Sequence, residues 1–171
     1  MIEENKSNTI QRLKYNHYAI EKAFLRLKSA IKPRGTTDPT TGILNDKEIY
    51  AAIGEMLLWV MNANQWYKDN DAGYKESNVI LGLKHAFNAL KHNMDFIEEH
   101  QKDGGFTFNK FSFPFTIPPI TIVWGLTEKV SDGKRLNQER NYKKHLEGRD
   151  ILDTFQETIE HLNEAMENLN S

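Results

Sequence analysis

The third apolar segment of the chain constrains its fold most tightly. Ile80, Leu83, Phe87, Leu90, Met94 and Ile97 follow one another at steps of 3, 4, 3, 4 and 3. Such steps return to one side of an α-helix, whereas on a strand they would scatter over both faces. The seam they form must be buried against other helices. The spacing predicts a helix running through Ile97 and ended by Gly104-Gly105.

Three further segments carry the same rhythm. In residues 9–31, Ile10, Leu13, Ile20, Phe24, Leu27 and Ile31 share a face, with His17 at an apolar position of that stripe. Pro33-Arg34-Gly35 ends this helix. The second helix starts at Asn45, which can cap it, with Glu48 completing a capping box. Ile49, Ile53, Met56, Leu57, Val60 and Met61 form its apolar face, widened by Trp59 and Trp66. The last helix spans 150–169, with Leu152, Phe155, Ile159, Leu162, Met166 and Leu169 on one side. Four amphipathic helices predict a mainly all-α fold, a four-helix bundle forming a single domain over residues 1–171. Its core is expected to hold Leu13, Ile20, Phe24, Ile53, Leu57, Val60, Leu83, Phe87, Leu90, Phe155, Ile159 and Leu162.

A different pattern precedes the last helix. Phe106, Phe108, Phe111, Phe113 and Phe115 crowd together, and from Phe111 to Ile117 apolar residues alternate at a period of two. After Pro118-Pro119 comes the β-branched and aromatic run Ile120-Thr121-Ile122-Val123-Trp124. These patterns predict two short extended segments, either a β-hairpin-like insertion or an irregular aromatic flap, and the prolines confine any strand to an edge. Residues 129–149 then read as a polar connector. Within 134–149, Lys134, Arg135, Arg140, Lys143, Lys144 and Arg149 outweigh Glu139 and Glu147, a net charge of +4. The polar face of the last helix is purely acidic, with Asp150, Asp153, Glu157, Glu160, Glu164 and Glu167.

Composition removes several kinds of chemistry. The chain has no cysteine, so disulfides, thiolate catalysis and cysteine-bound zinc are excluded. The overall charge of −2 gives no global attraction to nucleic acid or membrane, so any such attraction must be local. The start Met1-Ile2-Glu3-Glu4-Asn5-Lys6 lacks an apolar leader, and the stretch 111–126 is broken by prolines. A cytoplasmic location and no membrane partner are expected. His85 and His92 share a helix face but lie two turns apart, about 10 Å, and no histidine pair has the i, i+4 spacing of a helical zinc site. Neither a phosphate loop nor a serine nucleophile elbow is present. No metal and no cofactor are expected.

The polar face of the third helix remains, with Lys84, His85, Asn88, Lys91, His92 and Asp95. The stretch Leu83-Lys84-His85-Ala86-Phe87-Asn88-Ala89-Leu90-Lys91-His92 resembles the signature region of HEPN-type domains. These are small four-helix proteins of bacterial toxin–antitoxin, abortive-infection and RNA-processing systems. Their pattern is an Arg, a polar residue that is often Asn, a short spacer and a His. Here the Asn falls on Asn88 and the His on His92, but Phe87 stands where the family has its Arg. In the family the Arg and His together cleave RNA, the His handling a proton and the cation steadying the phosphorane charge. Phenylalanine does neither. The segment from Tyr142 to Ile151, with an amphipathic helix after it, also resembles the region beyond the motif in some HEPN-like proteins.

An intact version of the pattern occurs at Arg140-Asn141-Tyr142-Lys143-Lys144-His145, just before the last helix. The bland reading of that stretch is an exposed polar connector, and Phe87 fits the core seam by its spacing. The resemblance therefore implies an RNA-associated, toxin–antitoxin or phage-defence component without catalysis. The alternative is a metal-independent ribonuclease using Arg140 and His145, or Asn88 and His92. RNA contacts are expected at Arg135, Arg140, Lys143 and Lys144. The resemblance also implies a homodimer, a pairing the aromatic insertion would favour. A third reading is a helical interaction module whose acidic last helix or aromatic insertion binds a protein partner.

Overall fold

The computed structural model describes residues 2–31, 46–92, 97–101, 120–131 and 133–169. Helix α1 (Ile2–Ile31) stops just short of Pro33. It begins before the periodic stripe does, because residues 3–9 are all polar and carry no repeat. Helix α2 (Asp46–Asn70) comes next, with Asn45 outside the described residues. Helix α3 (Asn78–Lys91) is capped by the Ser77 hydroxyl, which accepts from the Ile80 N–H at 3.2 Å. Helix α6 (Ile151–Leu169) is capped by the Asp150 carboxylate, which accepts from Leu152 N at 2.7 Å and Asp153 N at 3.1 Å. These four helices surround one apolar core. Every expected core residue is buried except Phe87 and Leu90, which sit half-buried at its margin. Lys91 Nζ covers the Phe87 ring at 4.1 Å.

The structure corrects the sequence reading in two places. First, α3 ends at Lys91, not beyond Ile97. Ile97 opens strand β1 (Ile97–Gln101), antiparallel to β2 (Ile120–Trp124) in the register Ile97↔Trp124 to Gln101↔Ile120. A single apolar residue at a helical interval fits either reading, and the β-branched run of β2 needs a partner for its backbone groups. The strand expected to join β2 through the prolines, residues 111–117, lies outside the described residues, as do Phe106 and Phe108.

Second, residues 129–149 are not merely a connector. Helix α4 (Thr127–Val130) and helix α5 (Leu136–His145) occupy much of them. Tyr142 is the one buried residue of α5, so no apolar stripe announces it. It forms because Tyr142 and the adjoining Leu146, both fully buried, anchor it on α3.

Trp124 links the strands to the helices. Its ring meets Phe155 edge-on at 5.7 Å, and its indole N–H donates to Thr154 Oγ1 at 3.0 Å. Its backbone accepts from Gly148 N at 2.9 Å and donates to the Arg149 carbonyl at 3.0 Å. The chain turns at Gly148, whose φ of 72° favours a residue without Cβ.

Candidate nucleic-acid interface

Helix α5 lies antiparallel along α3. Gly82 of α3 faces Leu146, His85 faces Tyr142 with ring centroids 5.3 Å apart, and Asn88 Nδ2 donates to Gln138 Oε1 at 2.8 Å. Glycine at 82 permits the approach. A Cβ there would collide with Leu146 Cδ1 and lie 3.4 Å from the Asn141 carbonyl. The buried His85 bonds the Val130 carbonyl through Nε2 at 3.0 Å, and Tyr142 donates to the Gly125 carbonyl at 2.8 Å. The first ties α3 to the end of α4, and the second ties α5 to the residues just before α4.

With one side fixed to α3, α5 turns the other outward. Leu136, Asn137, Arg140, Lys143 and Lys144 are all exposed. Steps of three and four put the three cations on one face, within about 100° of arc. They make no ion pair with a described residue. Lys134 and Arg135 are exposed at the other end of the helix, where Arg135 holds the N-cap position without a side-chain cap bond. An open hollow of about 450 Å³ lies there, lined by Lys134, Arg135, Leu136, Asn137 and Gln138. Backbone N–H groups and the positive end of the helix dipole favour anions at such a terminus. The preceding turn is held by Ser131, whose hydroxyl donates to Glu139 Oε2 at 2.5 Å.

The residues of the two Asn/His patterns are spread over this helix pair. Asn88 is committed to Gln138, while His92 is the exposed C-cap of α3. His145 is half-buried at the far end of α5, where its carbonyl accepts from Arg149 Nη1 at 3.1 Å. Arg140 and His145, five residues apart, point about 140° from each other around the helix axis. The antiparallel pairing sets His145 near the level of Gly82, so His92 is about 15 Å away along α3. Arg140, His145 and His92 therefore do not converge. The basic helix is not packed on the acidic one; Arg149, beyond α5, reaches α6 through Glu157 at 2.7 Å. Among the described residues no three His, Asp or Glu side chains gather as a metal would need.

A second polar cluster, which sequence reasoning left unassigned, knits α1, α2, α3 and α6 together. His17 of α1 contacts the fully buried Tyr67 of α2 and Asn163 of α6. Tyr67 stacks on Tyr74 at 4.9 Å, and the Tyr74 hydroxyl donates to Asn64 Oδ1 at 2.9 Å. Asn64 in turn donates to Glu76 at 2.7 Å, which also pairs with Lys84 and, at 3.5 Å, with Lys68. Burial pushes both phenols well above their ordinary range, Tyr67 with help from Asp71 and Tyr74 from Glu76. Burial alone would raise the Glu76 carboxyl, but hydrogen bonds from Lys84 and Asn64 and the charge of Lys68 hold it below its usual value. His17 on an otherwise apolar stripe was the visible signal, since a polar ring facing the core needs a partner there. The cluster's groups are turned on one another, which suits a structural clasp. Compared with family models, curated proteins and solved structures, the chain matches none.

Proposed function

We propose that the protein is an RNA-associated helical component without a cleavage site of its own, and that it holds RNA by the phosphate backbone along the outer face of α5. The observation that carries this reading is the exposed cationic face of Arg140, Lys143 and Lys144, continued by Lys134 and Arg135 at a helix N-terminus. Cations so placed release counterions from a polyphosphate and bind without reading sequence. The separation of Arg140, His145 and His92 favours binding over metal-independent cleavage, which needs its proton-handling and charge-steadying groups around one phosphate. A role in toxin–antitoxin or phage-defence systems is part of the same proposal, supported by the resemblance of residues 83–92 to HEPN-type domains.

The test is a fluorescence titration of labelled RNA with the wild type and with a variant carrying Arg135→Ala, Arg140→Ala, Lys143→Ala and Lys144→Ala. The wild type should bind modestly at low salt, and the variant should not. Equal, negligible binding by both would leave the interaction-module reading in its place. Incubation with total RNA reports cleavage separately, and a product lost in Arg140→Ala and His145→Ala would restore the enzyme reading.

A further inference from the structure

The outward face of α5 offers charge without rings. Tyr142, the one Tyr, Trp or Phe of the helix, is fully buried, with its hydroxyl on the Gly125 carbonyl and its ring against those of His85 and Trp124. What the helix shows to solvent is Leu136, Asn137, Arg140, Lys143 and Lys144. Carboxylates do not interrupt this face. The two acids of residues 134–149, Glu139 and Glu147, are half-buried and bonded from within, Glu139 accepting from the Ser131 hydroxyl at 2.5 Å and Glu147 from the Thr127 N–H at 3.0 Å.

The cations fall into two groups. Lys134 and Arg135 stand at the start of the helix, and Arg140, Lys143 and Lys144 stand beyond its first turn. From Arg135 to Lys144 the axis rises about 14 Å. Arg140 is central to its group, with Lys143 and Lys144 about 60° and about 40° to either side of it. Exposed Leu136 and Asn137 separate the two groups.

Such a face discriminates between forms of RNA. Unpaired bases are held by stacking on successive aromatic rings, and without rings a single strand gains phosphate contacts alone. Arg140 can cover one base, whereas the lysine ammoniums are point charges and cover none. A duplex keeps its bases stacked on one another, so it needs no ring from the protein. Each phosphate neutralised on a duplex also releases more counterion than on a single strand, in the proportion of about 0.9 to about 0.7.

We infer that the RNA held by α5 is double-stranded. The helix lies across the phosphates of an A-form duplex, with Lys134 and Arg135 on one strand and Arg140, Lys143 and Lys144 on the other. Asn137, exposed between the groups, presents both a donor and an acceptor to a ribose 2′-hydroxyl. This inference rests on the RNA reading above and adds the form of RNA that the face selects.

The full chain is titrated against three labelled probes: an RNA strand without self-complementarity, its complement, and the duplex of the two. The duplex should bind about tenfold tighter than either strand and respond more steeply to salt. Leu136→Tyr sets a ring between the two cation groups. It should strengthen single-strand binding about tenfold and leave duplex binding as it was, with circular dichroism checking the fold. Single strands bound as tightly as the duplex, or no gain for single strands in Leu136→Tyr, would overturn the duplex inference and leave the RNA reading standing. Binding of no probe would overturn both. Duplex binding that survives the joint change of Arg135, Arg140, Lys143 and Lys144 to Ala would put the RNA on another face and also overturn both.

Discussion

His17 Nε2 lies 2.9 Å from the Tyr67 hydroxyl, and that hydroxyl donates to the Leu162 carbonyl at 3.2 Å, so the imidazole nitrogen is the donor of the pair. Its other nitrogen faces the Asn163 side chain at 3.1 Å. An amide presents its nitrogen to a neutral ring and its oxygen to a charged one, so either state finds a partner.

Burial nonetheless depresses the His17 pKa below 6.5, outweighing the Asn163 bond and the nearby Glu21 charge. Unfolded His17 therefore takes up a proton at a pH where the folded ring does not. Stability present above the unfolded value is lost as the pH falls through that value towards the folded one. Urea melts at about pH 7.5 and about pH 5.5 should show a larger drop for the wild type than for His17→Gln. Equal drops would show that His17 has no part in acid sensitivity.

Gly82 sets how closely α5 approaches. Gly82→Ala gains roughly 1 kcal/mol of helix propensity against a contact that the flexible end of Leu146 can relieve, so its net effect is small. Gly82→Leu has no such relief and should cost about 1–3 kcal/mol by overpacking. It should also weaken RNA binding without touching a cation, which calorimetric melting and an RNA titration measure together.

Tyr142→Phe keeps the ring against His85 and Trp124 but removes the donor to the Gly125 carbonyl. Leaving that buried acceptor unmade should cost about 1–3 kcal/mol. A chemical denaturation midpoint equal to that of the wild type would show that water takes over the carbonyl.

Core and margin separate in the two phenylalanines. Phe155→Ala, from a fully buried site, should cost about 3–5 kcal/mol. Phe87→Ala should cost clearly less, because its site is half open and much of its area stays wet in the folded chain. Parallel urea melts order the two.

For RNA, the logarithm of affinity should fall linearly with the logarithm of salt concentration. Replacing Lys143 and Lys144 by Ala should reduce that slope by about 2, one for each lysine taken from the phosphates. An unchanged slope would place the RNA elsewhere on the protein.

The four bundle helices were legible because each buries a stripe, and a stripe is written in the sequence as spacing. Leu13, Ile53, Leu83 and Phe155 all stand where that spacing puts them. Helix α5 was not legible, since Tyr142 is its only buried residue and what holds it is packing on α3, beside Gly82 some sixty positions earlier. The end of α3 was hidden because Ile97 continues the helical count while its backbone pairs with Trp124. The cations of the candidate interface were visible as composition. That they share one face, and that Arg140 and His145 do not, required the helix that the sequence left unannounced.

The register of β1 and β2 has a consequence for chain length. Gln101 pairs with Ile120, so two residues far apart in sequence are held at neighbouring backbone positions. Closing a longer or shorter excursion between two fixed, adjacent points changes the entropy only slowly with length. The ladder therefore fixes a junction whose two ends stay in place when the number of residues between them changes, with Trp124 held against Phe155.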